Sequence, residues 1–386
     1  MAVHNLGIIG YGGFGRFLHH CWSQMDNVKV IAVSDKVASR YSGLDNIHVY
    51  SEWRNLIHNP EVEIVAIATV PYTHEMIATA AMEAQKAVII EKPLATTVLD
   101  ASKIIAEQER RNTPACIDYI MRFNPLIKKL ADISGSGVFG KLRRIDLENY
   151  AQDEQLPPDH WFWDQKLGGG ILIEHAVHFI DLVHLFTDAP AIRVSGFGHM
   201  RNAKQQDQVI ANVLYEDGLF ATHYHSFARP GFFEITTMRF AYDLATIDLV
   251  GWIPLRGTIE VLANPDTRGI IESLPGYELL NEISIEKAID ESRPAGWGPG
   301  VIRKSAGGHV ISSGGIDYTA TSLLHAKFKL DQPKSQIYCD CVRAVLDDLI
   351  KAIEDPSHQV SASLKDGLKS LEIAQKAVRD SLSITV

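Results

Sequence analysis

A glycine-rich hexapeptide near the start of the chain, Gly10-Tyr11-Gly12-Gly13-Phe14-Gly15, restricts the possible folds more than any other segment. An apolar run at 6–10 precedes it and predicts a β-strand, and a helical pattern begins at Gly13. Glycine turns also occur for conformational reasons alone, but strand, turn and helix in this order are typical of a dinucleotide-binding unit. The helix N-terminus adds amide donors for a pyrophosphate. We therefore predict that a dinucleotide is bound by Gly10, Gly12, Gly13, Phe14 and Gly15.

An acidic residue follows at the distance that such a unit requires. Asp35 ends the second predicted strand, at 28–34, and stands 20 residues after Gly15. There a carboxylate accepts hydrogen bonds from the adenine ribose, although an aspartate at a strand end also caps helices. Because the carboxylate would repel the extra phosphate of NADP, the expected cofactor is NAD. NADP stays an alternative, since Lys36 and Arg40 follow closely and carry the charge that neutralises a phosphate.

The first third of the chain alternates short apolar runs with amphipathic helical stretches, which favours a parallel sheet with helices on both faces. The predicted strands occupy residues 6–10, 28–34, 47–50, 64–70, 87–90 and 115–119. We therefore expect residues 1–122 to form an α/β domain, a doubly wound parallel sheet of the Rossmann type that binds NAD(P).

Beyond residue 140 the pattern changes to longer runs in which apolar and polar residues alternate, as expected for antiparallel strands with one buried face. These runs lie at 142–150, 209–215, 219–227, 232–241 and 258–262. One helix is predicted at 171–186, a long loop at 294–315, and final helices at 336–354 and 362–381. Residues 123–386 are thus expected to form an α+β domain with a large, mostly antiparallel open sheet for substrate binding and oligomerisation. Its final helices are expected to pack back on the first domain.

Length and composition exclude several other classes of protein. The 386 residues suit two domains, and a net charge of -10 without a basic run argues against nucleic acid as a partner. No apolar run approaches the roughly 20 residues that span a bilayer, and the first strand begins too early for a signal sequence, so we expect a cytoplasmic protein. The cysteines form no zinc-site pattern and are all expected to be reduced thiols: Cys21, Cys116, Cys339 and Cys341.

Three further segments carry polar residues where ligands bind in such an architecture. Thr69 and His74 follow the fourth predicted strand, and Glu91-Lys92-Pro93 follows the fifth. The third segment is the run Gly168-Gly169-Gly170-x-Leu172-x-Glu174-x-x-x-His178-x-x-Asp181. On these segments and the glycine hexapeptide, the chain resembles the Gfo/Idh/MocA family of glucose-fructose oxidoreductase and inositol dehydrogenase over nearly its whole length.

The resemblance implies an NAD(P)-dependent dehydrogenase or reductase that acts on a secondary alcohol or carbonyl of a sugar, a cyclitol or a related small polyhydroxylated compound. It implies that Lys92 contacts the substrate hydroxyl and the nicotinamide ribose. It also implies that Glu174 and His178 are the acidic residue and the histidine that the glycine-led helix supplies. Further cofactor-binding residues carried over from the family motifs are Thr69, His74, Glu91 and Lys92.

The chemistry of the reaction agrees with these roles. Moving a hydride from a carbinol carbon requires one group that takes the hydroxyl proton and another that stabilises the negative charge left on oxygen. His178 suits the first task and Lys92 the second. Glu174 lies four residues before His178, so on one helix it would share its face and orient either the imidazole or a substrate hydroxyl. From the residues alone, a buried core histidine and a solvated lysine remain alternatives.

Departures from the family pattern concern the substrate pocket. Glu174 replaces the usual aspartate, and in Trp161-Phe162-Trp163-Asp164 a phenylalanine replaces an arginine, so an anion contact is expected to be absent. Ala176 and Pro71 stand where a glycine and an asparagine are common. Arg122 is as good a candidate for a salt bridge as for the pocket. The candidate substrate contacts are Tyr119, Arg122, Trp161, Trp163 and His225.

Two histidine patterns were weighed as metal sites. The run from Glu174 to His178 superficially resembles the zinc motif His-Glu-x-x-His, but the order and the spacing differ. His223 and His225 would face the same side of a strand, yet no third ligand is evident. Packing, or a substrate contact, explains them better, and we expect no metal.

Two rival functions stay open at this level. One is a glycosidase that keeps its NAD and oxidises the substrate only transiently, as some members of the family do. The other is a cofactor-sensing regulator without catalysis, which would have no need of both Lys92 and His178. In every case the expected partner is a small molecule, and the open sheet predicts a homodimer or homotetramer.

Overall fold

The structure, a computed structural model, describes residues 2–292, 303–305 and 307–382. Its first sheet is formed by β1 (His4–Ile9), β2 (Val28–Ser34), β3 (His48–Tyr50), β4 (Ile64–Ile67), β5 (Ala87–Ile90) and β6 (Ala115–Ile117). All neighbours are parallel, in the order β3-β2-β1-β4-β5-β6. This confirms the predicted doubly wound sheet. The strand order reverses between β1 and β4, and ligands bind at the carboxyl ends of strands beside such a reversal.

Helices cover both faces of this sheet and one face of the next. The α-helices are α1 (Gly13–Trp22), α2 (Trp53–Ile57), α3 (His74–Glu83), α4 (Val98–Arg111), α5 (Pro125–Gly135), α6 (Gly170–Glu174), α7 (Val177–Val183), α8 (Pro265–Glu272), α9 (Ile285–Glu291), α10 (Lys334–Glu354) and α11 (Leu364–Leu382). Thr97 caps α4 by accepting the amide of Asp100, and Asn124 caps α5 ahead of Pro125. Among the described residues, no helix combines the length and the apolar character needed to span a membrane.

The remaining strands are β7 (Leu142–Gln152), β8 (Ala191–Met200), β9 (Gln206–Tyr215), β10 (Phe220–Arg229), β11 (Ile235–Tyr242), β12 (Ala245–Val250), β13 (Arg256–Ala263), β14 (Glu278–Ser284), β15 (Arg303–Ser305), β16 (Gly308–Ser313), β17 (Ile316–Ala320) and β18 (Ser322–Lys329). Nine of them form a second sheet in the order β14-β18-β13-β12-β11-β7-β10-β9-β8. Only β7 and β10 pair in parallel, so the sheet is mostly antiparallel, as predicted. In β9 every second residue from Asp207 to Tyr215 is buried, and the face between them is partly exposed.

The prediction of one loop over 294–315 is wrong for its described part. β15, β16 and β17 form a small antiparallel sheet there. Gly314 and Gly315 turn the chain between β16 and β17 with positive φ angles of 56° and 81°. A two-glycine turn of this kind is a hairpin signal, which the overall glycine and proline content obscured. Residues 293–302 and 306 lie outside the described part of the chain.

The single helix predicted at 171–186 is also wrong, because the chain forms α6 and α7 with an interruption at His175 and Ala176. The amide of Ala176 donates to the carbonyl of Ile171, five residues earlier, at 2.9 Å. The turn is therefore wider than an α-helical turn, in which the bond spans four residues. This changes the angular relation between Glu174 and His178.

The last two helices join the sheets. α10 packs on α1, β5 and β6, and α11 packs on α4, α7 and β8. One buried apolar cluster extends from the parallel sheet into the nine-stranded sheet, and a second lies between the parallel sheet, α1 and α10. The division of the chain at residue 122 stays a prediction.

The expectation that all four cysteines are reduced is wrong for two of them. Cys21 in α1 and Cys339 in α10 form a disulfide, with their Cα atoms 5.3 Å apart. They are 318 residues apart in sequence, so their contact arises from the docking of the two helices, which no local spacing predicts. Cys116 and Cys341 are free and buried.

Candidate active site

The carboxyl ends of β1, β2 and β4 border a cavity of about 530 Å³, a size typical of cofactor sites. Trp161, from the segment between β7 and α6, also lines it. The segment between β7 and α6 therefore lies at the carboxyl edge of the parallel sheet. The predicted cofactor residues that line it are Gly10, Gly12, Gly13, Phe14, Asp35 and Thr69.

The glycines of the hexapeptide serve two different purposes. Gly10 has a φ of +94°, and a Cβ atom there or at Gly15 would collide with neighbouring backbone, so the fold itself demands both. A Cβ at Gly12 would meet only the Arg40 guanidinium at 3.7 Å, and one at Gly13 would meet nothing within 4 Å. Packing within the protein does not explain these two glycines. Close approach of a ligand to the backbone at the start of α1 does, so the cradle fits a dinucleotide pyrophosphate.

Asp35 is buried at the end of β2 and holds the hexapeptide in place. One carboxylate oxygen accepts the amide of Tyr11 at 2.8 Å, and the other accepts the amide of Val37 at 2.8 Å. The Arg40 guanidinium forms an ion pair with the same carboxylate at 2.9 Å. Asp35 therefore faces the cavity with a cation directly beside it.

Thr69 and His74 have different positions. Thr69 lines the cavity, whereas His74 is fully buried and does not. Its Nδ1 lies 2.8 Å from the carbonyl of Pro93, and its Nε2 lies 3.1 Å from the carbonyl of Thr69. Burial lowers the pKa of this imidazole. The neutral imidazole donates to one of these two carbonyls, between the end of β4 and the segment that carries Lys92, and its role as a cofactor ligand stays a prediction.

Lys92 and Glu174 form a nearly buried ion pair between β5 and α6. The Lys92 Nζ lies 2.6 Å from Oε1 of Glu174 and 2.9 Å from its carbonyl oxygen. Burial opposes the charge on Lys92, but the carboxylates of Glu174 and Glu91 outweigh it and raise the pKa of the ammonium above its ordinary value. Glu91 itself accepts the backbone amide of Lys92. Lys92 is therefore a fixed cation, suited to holding negative charge.

His178 lies in α7, buried between two aromatic rings. The ring centres of Tyr119 and Trp252 are 6.0 and 5.9 Å from that of the imidazole, and its Nδ1 has no hydrogen-bond partner among the described residues. Burial, with Lys92 and His175 nearby, holds the pKa of His178 well below 6.5. The imidazole is therefore neutral near pH 7 and able to accept a proton.

Glu174 does not orient His178 as the sequence suggests. The carboxylate is bonded to Lys92, and a turn wider than an α-helical turn lies between the two residues. The neighbours that hold the imidazole are Tyr119 and Trp252 instead. Sequence analysis missed Trp252 because it lies between β12 and β13, about 70 residues after His178, where no motif marks it.

Most of the side chains predicted to contact the substrate are buried and interact with other protein groups instead. Arg122 forms a paired contact with Asp181 at 2.7 and 2.8 Å, which corrects its assignment to the pocket in favour of the salt bridge. Tyr119 is buried with its hydroxyl bonded to that of Ser370, and Trp163 is buried with its indole donating to Leu156. His225 is fully buried between His175 and Phe179. Of the five candidates, only Trp161 reaches the cavity.

Sequence analysis also missed Asp118, directly after β6. The side chain is 2% exposed, and neither carboxylate oxygen has a hydrogen-bond partner among the described residues. Its position after a buried strand, at the same sheet edge as Glu91 and Lys92, was the available signal. Over the same described residues, no group of three or more histidine, cysteine or acidic side chains is arranged to hold a metal ion.

The ion pair allows a first prediction, for Glu174→Gln. The variant keeps the shape of the side chain and an acceptor for Lys92 but removes the negative charge, so we expect kcat to fall by about tenfold through weaker positioning of Lys92. The acidic limb of the pH profile should not move, because the carboxylate does not contact His178. Steady-state kinetics across the pH range test this, and a shift of that limb to lower pH would restore the contact between Glu174 and His178.

Comparisons with known proteins agree with this arrangement. The family model for the NAD-binding Rossmann fold of the Gfo/Idh/MocA oxidoreductases matches residues 4–119, and the model for the C-terminal domain matches residues 127–240. Together the two matches cover more than half of the chain.

Individual relatives are distant. The chain is 24% identical to 1-carboxy-3-chloro-3,4-dihydroxycyclohexa-1,5-diene dehydrogenase of Comamonas testosteroni, over 81% of this chain and 78% of the relative. It is 34% identical to inositol 2-dehydrogenase of Salmonella typhimurium, over 46% of this chain and 53% of the relative, so it spans about half of that enzyme. Among solved structures, the WlbA dehydrogenase of Bordetella pertussis with NADH and UDP-GlcNAcA shares the fold, with a TM-score of 0.72, 13% identity and coverage of 99% and 96%.

Proposed function

We propose that this chain, which belongs to the Gfo/Idh/MocA family of NAD-binding oxidoreductases, oxidises or reduces a secondary alcohol carbon of a cyclic polyol or sugar. The observation that carries the proposal is the pairing of the fixed Lys92 cation with Glu174 beside the neutral His178, at the cofactor edge of the parallel sheet. The relatives named above support the substrate class, because their names describe dehydrogenases of ring compounds with hydroxyl groups.

The residues divide the work as follows. A bound nicotinamide cofactor would supply the hydride acceptor for oxidation and, in its reduced form, the hydride donor for reduction. The neutral imidazole of His178 takes the hydroxyl proton of the substrate, and the Lys92 ammonium stabilises the negative charge that develops on oxygen. Glu174 is a positioning residue that fixes Lys92. In the reverse reaction, His178 returns the proton to the substrate oxygen, and Lys92 stabilises the negative charge on that oxygen until the proton arrives.

The test is a screen of sugars and cyclitols with purified protein and NAD, read by the absorbance of the reduced nicotinamide. A net increase with one compound supports the dehydrogenase. Turnover of a glycoside without a net change in absorbance would instead identify the redox-cycling glycosidase. Binding of NAD without turnover of any compound would identify the regulator.

A second prediction concerns the cofactor. We expect a preference for NAD over NADP of at least about tenfold in kcat/KM, worth roughly 1.4 kcal/mol, because Asp35 would place a carboxylate against the ribose hydroxyl that carries the extra phosphate of NADP. Asp35→Ala should erode this preference. The same change removes the hydrogen bond from the Tyr11 amide that holds the hexapeptide. That loss affects both cofactors, so it cancels in the ratio of kcat/KM for NAD to kcat/KM for NADP.

Arg40→Gln provides the matched control. Arg40 is the cation beside Asp35, so its loss should reduce the use of NADP and leave NAD nearly unaffected. The measurement is kcat/KM for both cofactors at a fixed substrate concentration. A wild-type protein that uses NADP better would mean that Lys36 and Arg40, not Asp35, determine the cofactor.

We also propose that the protein works in the cytoplasm as a homodimer or homotetramer. The outer face of the nine-stranded sheet carries exposed apolar side chains, including Phe197, Phe220 and Ile235, which support pairing of this face.

A further inference from the structure

Asp118 occupies a position that the proposed mechanism does not use. Its backbone amide donates to the carbonyl of Ile90 at 2.8 Å, which continues the pairing of β6 with β5 by one residue. Ile90 pairs with Ile117, so the next residues, Glu91 and Asp118, project from the same face of the sheet. Two carboxyl groups thus lie side by side behind Lys92.

The surroundings of Asp118 are apolar apart from a few titratable groups. These are Lys92 and Glu91 after β5, Cys116 in β6, and Tyr338 and Cys341 in α10, which covers this face. Lys92 is already bonded to Glu174. The carboxyl oxygens of Asp118 have no hydrogen-bond partner among the described residues, so a negative charge there lacks direct stabilisation.

The carboxyl group of Asp118 therefore holds a proton more firmly than an exposed aspartate. Burial raises its pKa to about 7, although Lys92 opposes the shift. Burial likewise raises the pKa of the Glu91 carboxyl and of the Cys116 and Tyr338 side chains, and that of Cys341 to about 12. The Asp118 carboxyl can therefore gain or lose its proton near neutrality, so small changes in nearby charge decide its protonation.

We propose that Asp118 is a proton site linked to the redox state of the cofactor: its carboxyl group releases a proton when the cationic oxidised nicotinamide binds and keeps it when the neutral reduced form binds. The inference rests on the proposed function, which places the nicotinamide beside Lys92. The carboxyl O–H bond breaks heterolytically, the proton passes to the solvent, and no electron moves. Asp118 thereby favours the oxidised cofactor at higher pH.

The direction in which NAD⁺ affinity changes with pH follows from thermodynamic linkage between cofactor binding and proton binding. A positive ring near Asp118 stabilises the carboxylate, so NAD⁺ binding and loss of the proton assist each other. The affinity for NAD⁺ should therefore rise with pH through the range around neutrality, and the affinity for NADH should stay nearly constant. His178 and Lys92 do not contribute in this range, because their pKa values are shifted away from it, below and above respectively.

The experiment measures the dissociation constants of NAD⁺ and NADH from about pH 6 to about pH 9, by calorimetry, for the wild type and for Asp118→Asn. We expect wild-type affinity for NAD⁺ to rise about fivefold across this range, within the usual size of coupling between sites. Asp118→Asn keeps the shape but cannot ionise, so its NAD⁺ affinity should be flat and equal to the wild-type value at low pH. NADH should bind both proteins alike at every pH.

Two further variants make the assignment specific. Asp132→Asn removes an exposed carboxylate in α5, and it should keep the full pH dependence. Glu91→Gln removes the neighbouring carboxyl group and should keep the pH dependence, because Asp118 can still ionise. Loss of the dependence in Glu91→Gln but not in Asp118→Asn would overturn the assignment.

A measurement on the wild type alone covers the case in which Asp118→Asn does not fold. Adding NAD⁺ to unbuffered protein with an indicator dye near neutral pH should release a fraction of a proton per site, and adding NADH should release none. Tight NAD⁺ binding without proton release would refute the inference while leaving the proposed function intact. No NAD⁺ binding at any pH would contradict the proposed function instead.

Discussion

Lys92→Ala is expected to lower kcat by about a hundredfold to a thousandfold, the effect of removing one preorganised donor that stabilises negative charge. The ammonium is fixed by two bonds to Glu174, at 2.6 and 2.9 Å, so it is in place before charge develops on the substrate oxygen. Cofactor affinity should change little, because the residues that line the cavity at the carboxyl ends of β1, β2 and β4 are unchanged. The measurement is steady-state kinetics with the substrate found in the screen, together with the dissociation constant of NAD.

Lys86 offers a matched control at the opposite end of β5. Its ammonium donates to the carbonyls of Asn59 and Val62, at 3.1 and 2.6 Å, far along the strand from the cofactor edge. Lys86→Ala should therefore reduce stability and leave kcat close to the wild-type value. A near-normal kcat in Lys92→Ala, or an equal loss in both variants, would remove Lys92 from the mechanism.

The parallel sheet and the cofactor loop were predictable because their signals are local. A buried parallel strand is a continuous apolar run, and the turn after β1 needs glycine for geometric reasons at Gly10 and Gly15. The position of Asp35 follows from the same unit, since it ends the second strand. Local sequence patterns thus predict which residues meet at the carboxyl ends of β1 and β2.

The relations inside the candidate site were harder to predict because they depend on tertiary contacts. The spacing of Glu174 and His178 suggested one helix face, but a single wide turn at Ala176 turned Glu174 toward Lys92. Arg122 was ambiguous until Asp181, 59 residues later, was seen to pair with it. The disulfide between Cys21 and Cys339 likewise depends on the docking of α10 against α1.

Asp118 and Trp252 show a second limit of sequence reasoning. The predicted strand at 115–119 includes Asp118, and its position after buried residues does not by itself show that the carboxyl group lacks a partner. Trp252 belongs to a connection between strands, where a single aromatic residue has no periodic partner. Both residues acquire their significance only from the side chains that surround them.

His178→Ala should lower the rate of oxidation by about a hundredfold to ten-thousandfold, because the proposed mechanism assigns the hydroxyl proton to its neutral imidazole. The imidazole works in its neutral form, and its pKa is held well below 6.5 by burial and by Lys92. Wild-type kcat should therefore stay constant through the range in which an ordinary histidine titrates and fall only in more acidic solution, as the imidazole becomes protonated. His178→Ala should lose this acidic limb along with the rate.

The control is His184→Ala, since His184 directly follows α7 at its far end and its pKa is also lowered by burial, to about 4. That variant tests whether any buried histidine of this helix affects the rate through stability alone. We expect it to unfold at a lower temperature but to retain both kcat and the acidic limb. If His178→Ala behaved in the same way, the imidazole would be a packing residue between Tyr119 and Trp252, and the proton would have to leave the substrate by another group.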